Sequence, residues 1–123
     1  MTRFQLSEDC GNSPKNQLLQ ALTFAIARAD AEQIVGFITK DIQWSPVGRK
    51  SISGAKSVSR ALMRLGPATS LKIRHVVSHG RSGAVDGIVA FGKKRRAYCH
   101  FFEFGNAKGT NVSGMTTYSI AVE

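Results

Sequence analysis

Four ring-bearing side chains alternate along one predicted strand: Tyr98, His100, Phe102 and Phe104. Successive side chains of a strand point to opposite faces, so these four share one face. An imidazole among aromatic rings is poorly solvated, and poor solvation lowers its pKa. Such a histidine can accept or donate a proton in a reaction. The pattern makes His100 the candidate catalytic residue, with Tyr98 and Phe102 beside it in a pocket; a hydrogen-bonded histidine without a chemical role is the alternative interpretation.

Two further histidines, His75 and His79, lie four residues apart in another predicted strand. His75 has the same parity as Leu71, Ile73 and Val77, so we expect it on the buried face, where it would line the same pocket. No carboxylate or thiolate stands beside these histidines at a spacing typical of metal ligands. The sequence therefore predicts no metal site, and it indicates no cofactor.

Trp44 lies on a short predicted strand just before a Pro-Val-Gly turn. Its large apolar ring carries one N–H donor, which suits the wall of a cavity, although a core position would suit it equally.

Asp86 is the one acid that could face His100 across neighbouring strands. Val85 and Val89 have the opposite parity and form the apolar face, which would turn Asp86 away from His100. A shift of one residue in the strand register reverses this assignment, so both orientations remain open.

The charge balance is strongly basic, with 17 Lys and Arg residues against 8 Asp and Glu residues and a formal net charge of +9. Such a charge is compatible with nucleic acid or another polyanion. The run over 93–96 falls at a predicted hairpin tip, where no aromatic residue is interleaved to stack bases. A solvated turn that discourages edge pairing is the favoured interpretation of this run, and a phosphate-binding surface is the alternative. Further cations that could join such a surface are Arg49, Lys50, Lys72 and Arg74.

Local signals place the helices ahead of most strands. Ser13 followed by Pro14 predicts a helix start, and its apolar stripe continues to about Arg28. Asp30 with Gln33 resembles a capping box, and it starts a second helix with Ile34, Val35 and Ile38 on its apolar face. Ser53-Gly54 starts a third helix, which carries Val58, Ala61, Leu62 and Leu65 on one face and ends at Gly66-Pro67. A short strand is predicted at 42–45, and longer ones at 71–79, 84–91, 97–104 and 112–122.

This order of elements predicts an α+β fold, with the helices gathered on one face of an antiparallel sheet. We expect an N-terminal arm over residues 1–12 and a single domain over residues 13–123, because the length fits one domain. No apolar run approaches the ~18 residues that cross a bilayer, so we expect no membrane partner. The N-terminus lacks the pattern of a secretory signal, which makes the cytoplasm the expected location.

The stretch ADAEQIVGFITKDIQWSPVGRKSISGAKSV resembles the second helix, the D-x-x-W strand, the Pro-Val-Gly turn and the third-helix glycine of the nuclear transport factor 2-like superfamily. This superfamily includes ketosteroid isomerases and SnoaL-type polyketide cyclases, and the likeness covers residues 13–122. The segment DCGNSPKNQLLQAL is similar to the start of a bacterial branch of small uncharacterised members. The resemblance implies a cone-shaped, curved antiparallel sheet whose concave face is covered by three N-terminal helices, and a homodimer formed through the outer sheet face.

The resemblance also implies positions for site residues. The general-base aspartate of ketosteroid isomerase corresponds to Ser45, its first-helix tyrosine falls near Leu22, and its proton-donating aspartate falls near His100. Met115 stands where those isomerases line their pocket. Ser45 cannot abstract a carbon-bound proton at neutral pH, so we do not expect ketosteroid isomerase activity.

Together the residues and the resemblance predict a helix-capped cavity that binds a small, largely apolar metabolite. Isomerase, cyclase or hydrolase chemistry at His100 is one interpretation. A non-catalytic ligand-binding or protein-interaction module is the alternative, and polyanion binding through the basic hairpin is a second one. The residues expected to line the cavity are Trp44, Ser45, Leu22, Tyr98, Phe102, Met115 and His75.

Overall fold

The computed structural model describes residues 3–5 and 13–122. In this part of the chain the helices are α1 (Pro14–Ala27), α2 (Ala31–Phe37) and α3 (Ala55–Met63). The strands described are β1 (Arg3–Gln5), β2 (Ile38–Pro46), β3 (Ile52–Ser53), β4 (Ser70–His79), β5 (Ser82–Phe91), β6 (Lys94–Phe104) and β7 (Val112–Val122). The other residues of the predicted arm, with Cys10 among them, lie outside the described residues, and so does Glu123.

The predicted helix starts are confirmed by their caps. Ser13 Oγ accepts the N–H of Asn16 at 3.2 Å, and Pro14 occupies the first turn, where its missing N–H has no cost. Asp30 Oδ1 accepts the N–H of Gln33 at 3.2 Å. These local bonds satisfy backbone donors that a helix leaves unpaired, and they explain why α1 and α2 begin where the sequence predicts.

The strands form one curled, unclosed sheet in the order β1-β4-β5-β6-β7-β2-β3. Strands β4 to β7 pair antiparallel in sequence order, β2 runs parallel to β7, and β1 runs parallel to β4. Helix α1 packs on β4 and β5, and α3 packs on β2. The predicted α+β class is thus confirmed, with the helices on the concave face of the sheet.

The core lies between this concave face and the helices. Leu19, Leu22 and Ile34 from the first two helices are fully buried, as are Val58 and Leu62 from α3. The sheet contributes inward side chains from five strands, namely Ile42, Ile73, Val76, Val85, Phe102, Phe104 and Val112. This packing holds the inward side chains of β6 in fixed positions.

A β-bulge in β4 reverses the face of one predicted pocket residue. The pairing of β4 with β5 shifts between Ile73 and His75, so Ile73 and Val76 are both buried while His75 points outward. The His75 side chain is 62% exposed. An extra residue in a strand moves every later side chain to the opposite face. The expectation that His75 lines the buried face is therefore wrong.

Several element boundaries also differ from the prediction, and one short strand was not predicted. Helix α2 ends at Phe37, so Ile38 begins β2 and Val35 is exposed rather than part of an apolar face. Helix α3 ends at Met63, which leaves Leu65 exposed. Arg3–Gln5 pairs with β4, although the arm shows no strand periodicity. None of the described helices is both long and apolar enough to span a membrane.

Candidate functional site

A cavity of about 580 Å³ lies between the concave sheet face and the helices. Its volume falls within the range of small-molecule sites. Most of its wall is apolar and comes from every layer of the fold: Ile26, Ala27, Trp44, Pro46, Val47, Ile52, Ala61, Leu65, Leu71, Val89 and Phe91. The polar and aromatic remainder of the lining includes Thr23, Tyr98, His100, Thr117 and Ser119.

Strand β6 brings two residues of the aromatic row, Tyr98 and His100, to this cavity. Tyr98, His100, Phe102 and Phe104 are all buried on the concave face, as their alternation predicts. The ring centroid of His100 lies 5.1 Å from that of Tyr98 and 5.8 Å from that of Phe102. The imidazole is thus enclosed by two rings and opens toward the cavity.

Thr117 connects His100 to Trp44. The Trp44 Nε1–H donates to Thr117 Oγ1 at 2.9 Å, and His100 Nδ1 lies 2.8 Å from the same oxygen. Tryptophan can only donate here, so the hydroxyl hydrogen of Thr117 is free to point elsewhere. In residues 13–122, His100 Nδ1 is the acceptor within reach of that hydrogen. The arrangement that satisfies all three groups leaves the proton of the neutral imidazole on Nε2.

Burial lowers the pKa of His100 from 6.5 to about 4, because a charged imidazole would lose its hydration there. No carboxylate among the described residues lines the cavity to offset this effect. At neutral pH His100 is therefore uncharged, and its Nε2–H has no hydrogen-bond partner in the described part of the protein. This geometry presents one hydrogen-bond donor to a molecule in the cavity.

Tyr98 is held in its protonated form on the same face. Burial raises the pKa of its phenol, and the nearby Asp86 and Cys99 raise it further. The hydroxyl donates to the Lys72 carbonyl at 3.4 Å. Gly87 lies opposite on β5, and a Cβ at this position would overlap the Lys72 carbonyl oxygen. Glycine thus permits the close approach of β4, β5 and the Tyr98 ring.

Four cationic side chains surround the mouth of the cavity. Arg49 and Lys50 follow β2 in the turn to β3, Arg64 follows α3, and Arg96 lies on β6. Arg96 Nε donates to Ser119 Oγ at 3.2 Å, and its Nη2 donates to the Ser119 carbonyl at 3.3 Å. None of the four has a carboxylate partner within the described residues.

The structure brings together three of the residues expected at the site, because Trp44, Tyr98 and His100 line one cavity. Leu22, Phe102 and Met115 are buried in the core and do not line it, so that expectation is wrong for them. They face the helix–sheet core instead, which fills the part of the concave face beyond the cavity.

The other predicted lining residues lie on the outer sheet face. Ser45 neighbours the inward Trp44 and so points the opposite way, with its Oγ 3.0 Å from Ser51 Oγ. Asp86 likewise points away from His100, and its carboxylate lies 2.9 Å from His75 Nδ1. This pair lies outside the cavity. No cluster of potential metal ligands is found within the described residues.

The sequence analysis does not place several lining residues in the cavity, and Arg96 and Thr117 are the two that matter most for its chemistry. The sequence analysis places Arg96 at a hairpin tip, but β6 already begins at Lys94. Arg96 is therefore part of the strand, and its side chain lies on the same face as that of Tyr98. Extending the alternation of Tyr98 and His100 back by two residues predicts that Arg96 lies on the same face. Thr117 is the cross-strand partner of His100, and this pairing becomes visible once the register is known.

Solved structures with this arrangement share the fold at low sequence identity. A nuclear transport factor 2-like protein of unknown function from Burkholderia xenovorans superposes with a TM-score of 0.78 at 14% identity, covering 89% of this chain and 84% of that chain. A candidate ketosteroid isomerase from Kribbella flavida gives 0.75 at 17% identity, covering 89% and 79%. A candidate SnoaL-like polyketide cyclase from Shewanella denitrificans gives 0.73 at 13% identity, covering 89% and 92%.

No family model matches the sequence, and no curated protein matches it. The structural likenesses show that the chain has the nuclear transport factor 2-like fold, as the sequence resemblance implied. Because this fold supports many unrelated functions, the residues of the cavity and not the fold indicate what the protein does.

Proposed function

We propose that the protein binds a small, largely apolar metabolite in the cavity, and that His100 Nε2–H donates a hydrogen bond to an oxygen of this metabolite. The observation that carries the proposal is the chain of hydrogen bonds from Trp44 through Thr117 to His100. This chain fixes the imidazole in the wall of a largely apolar cavity and leaves its second nitrogen without a partner among the described residues. A carbonyl or hydroxyl oxygen would satisfy that donor.

The chemistry that such a site supports is electrophilic rather than basic. With a pKa of about 4, His100 is a poor base at neutral pH, and no carboxylate lines the described cavity to take that role. A fixed N–H in an apolar site can instead stabilise negative charge that develops on an oxygen. Isomerisation or cyclisation of a carbonyl compound fits this requirement, and two structural neighbours are named as candidates for such reactions. Binding without turnover needs the same hydrogen bond.

The fluorescence of Trp44 can report ligand binding, because Trp44 is the sole tryptophan of the chain and lines the cavity. Titration with pairs of ligands that differ only in a carbonyl group, such as a cyclic ketone and its hydrocarbon, should change the Trp44 fluorescence. We expect the ketone to bind about tenfold more tightly in the wild type, and to lose this advantage in His100→Ala.

The matched control is His79→Ala, which removes an exposed histidine outside the cavity. This variant should retain the wild-type preference for the ketone. If His100→Ala keeps the preference as well, then His100 has a structural role alone and the proposal fails. If turnover of a ligand is found, its loss in His100→Ala with folding intact would extend the proposal to catalysis.

We also propose that a second copy of the chain covers the outer sheet face, as the resemblance implied. Phe101, Tyr118 and Ile120 are exposed there, and Ile120 is 67% exposed. They lie on neighbouring strands, since Tyr118 pairs with Cys99 and Ile120 pairs with Ala97. Together they form an apolar patch whose burial would stabilise a dimer.

A further inference from the structure

We infer that the metabolite is an amphipathic anion, whose apolar body occupies the cavity and whose carboxylate or phosphate group is bound at the mouth by Arg49, Lys50, Arg64 and Arg96. This inference rests on the proposed function, because it assumes that a ligand enters the cavity. It adds the charge of the ligand and the position of its acidic group.

The four cations converge from separate parts of the sequence. Arg49 and Lys50 belong to the turn after β2, Arg64 ends the α3 region, and Arg96 lies near the start of β6. Their convergence at one opening is a product of the fold. Of the basic run at 93–96, Arg96 lines the cavity, whereas the side chains at 93–95 are exposed on the hairpin and do not line it.

The positive charge of these four side chains is not compensated by acidic side chains among the described residues. No carboxylate within the described residues lines the cavity or pairs with any of the four cations. Like charges around one opening repel each other, and an anion bound among them relieves this repulsion. A guanidinium group also matches a carboxylate or phosphate with two parallel hydrogen bonds.

Arg96 is also held in place by the neighbouring strand β7. Its two hydrogen bonds to Ser119 fix the guanidinium on the concave face, in line with Tyr98 and His100. Arg96 and His100 are four positions apart, which corresponds to roughly 13 Å along a strand. A ligand that contacts both residues therefore needs an extended apolar body between its acidic group and its oxygen at His100.

Exposed apolar side chains line the cavity together with the cations. Val47 and Leu65 line the mouth and are 59% and 53% exposed. Water-exposed apolar side chains next to arginines suit a ligand that combines a charged group with a hydrocarbon portion. A nucleic acid backbone would contact the cations alone and would leave these two side chains in water.

The test follows Trp44 fluorescence during titration with decanoate, decyl phosphate and decanol at low ionic strength. We expect at least one of the two anions to bind tenfold or more tightly than decanol, and the better anion identifies the acidic group. In the double variant Arg49→Gln, Lys50→Gln this advantage should fall at least tenfold, while decanol affinity stays within twofold. Added salt should weaken anion binding and leave decanol binding unchanged.

The matched control is the double variant Lys93→Gln, Lys94→Gln, which removes the same charge from the exposed hairpin. It should change anion affinity by less than twofold. Equal loss in both double variants would overturn the inference, since it would reflect net charge rather than a site. Equal binding of decanol and the anions would also overturn it while leaving the proposed function intact. Failure of all three probes to change Trp44 fluorescence would contradict both.

Discussion

Thr117 Oγ1 lies 2.8 Å from His100 Nδ1, and the two residues are direct cross-strand partners on β7 and β6. The same hydroxyl accepts the Trp44 Nε1–H at 2.9 Å. A single threonine therefore sets both the orientation and the tautomer of the buried histidine. Positioning of this kind is typical of histidines that bind or polarise a ligand.

Replacing Thr117 by Val should remove the hydrogen bonds of its hydroxyl group while keeping the packing of its side chain. The substitution keeps the side-chain shape but leaves the Trp44 N–H and His100 Nδ1 without partners, so we expect the free energy of unfolding to fall by about 1–3 kcal/mol. Urea denaturation measures this loss. NMR of the histidine ring should show that the proton of His100 is no longer confined to Nε2.

The control for this variant is Thr116→Val, which changes the neighbouring residue on the opposite face of β7. Thr116 pairs with Ser45 and Phe101 rather than with the cavity residues. Its replacement should leave stability within about 0.5 kcal/mol of the wild type. Equal destabilisation by both variants would show that the Thr117 hydroxyl has no special role.

The buried His100 should make stability depend on pH. Burial lowers its pKa from 6.5 to about 4 in the folded protein, so the unfolded chain binds a proton between these values and the native chain does not. Stability contributed by the neutral imidazole is therefore present above pH 6.5 and is lost as the pH falls toward 4. The expected loss is about 3 kcal/mol, measured by urea denaturation at pH 7 and pH 4.

In His100→Gln this component of the pH dependence should disappear, whereas His79→Gln, a change at an exposed histidine, should retain the wild-type profile. A wild-type slope in His100→Gln would mean that His100 is hydrated in the native protein. Such a result would also weaken the argument for an apolar site around Nε2.

Local signals were sufficient for the helix starts and for the face of β6. Ser13 and Asp30 act through bonds to residues three positions later, and the alternation from Tyr98 to Phe104 needs no knowledge of other strands. These features depend on short segments of chain. For this reason the sequence predicted them correctly.

The errors concern features that depend on pairing between distant segments. The bulge between Ile73 and His75 turned His75 outward, although no glycine or proline marks that position. The cluster of cations at the mouth joins Arg49 and Arg96, which are far apart in sequence. The sequence analysis offers Arg49 and Lys50 as possible neighbours of the basic run 93–96, but the strand order is needed to show that Arg96 faces the cavity with them.

Gly87→Ala should be strongly destabilising. A Cβ at this position would overlap the backbone carbonyl oxygen of Lys72, and it would lie 3.0 Å from the Tyr98 hydroxyl. Backbone in the middle of a paired sheet cannot easily move away, so we expect a loss of about 1–3 kcal/mol in the free energy of unfolding. Thermal and urea denaturation measure this change.

Gly36→Ala, in contrast, should stabilise the protein. Gly36 lies within α2, and a Cβ there would meet no atom within 4 Å. Alanine in a helix should stabilise the protein by about 0.4–1 kcal/mol relative to glycine. If Gly87→Ala raised the free energy of unfolding as Gly36→Ala is expected to do, the close approach of the strands would not explain the glycine at position 87.

Ile120→Lys should disrupt the proposed dimer. The side chain of Ile120 lies on the outer sheet face beside Tyr118 and Phe101, and a lysine within this apolar patch would bring an unpaired charge into the interface. Light scattering coupled to size-exclusion chromatography should report a dimer for the wild type and a monomer for this variant. Val35→Lys is the control, because Val35 is an exposed apolar residue on α2, away from the sheet, and it should leave the dimer intact. A monomeric wild type would refute dimerisation through this face, and a dimeric Ile120→Lys would place the interface elsewhere.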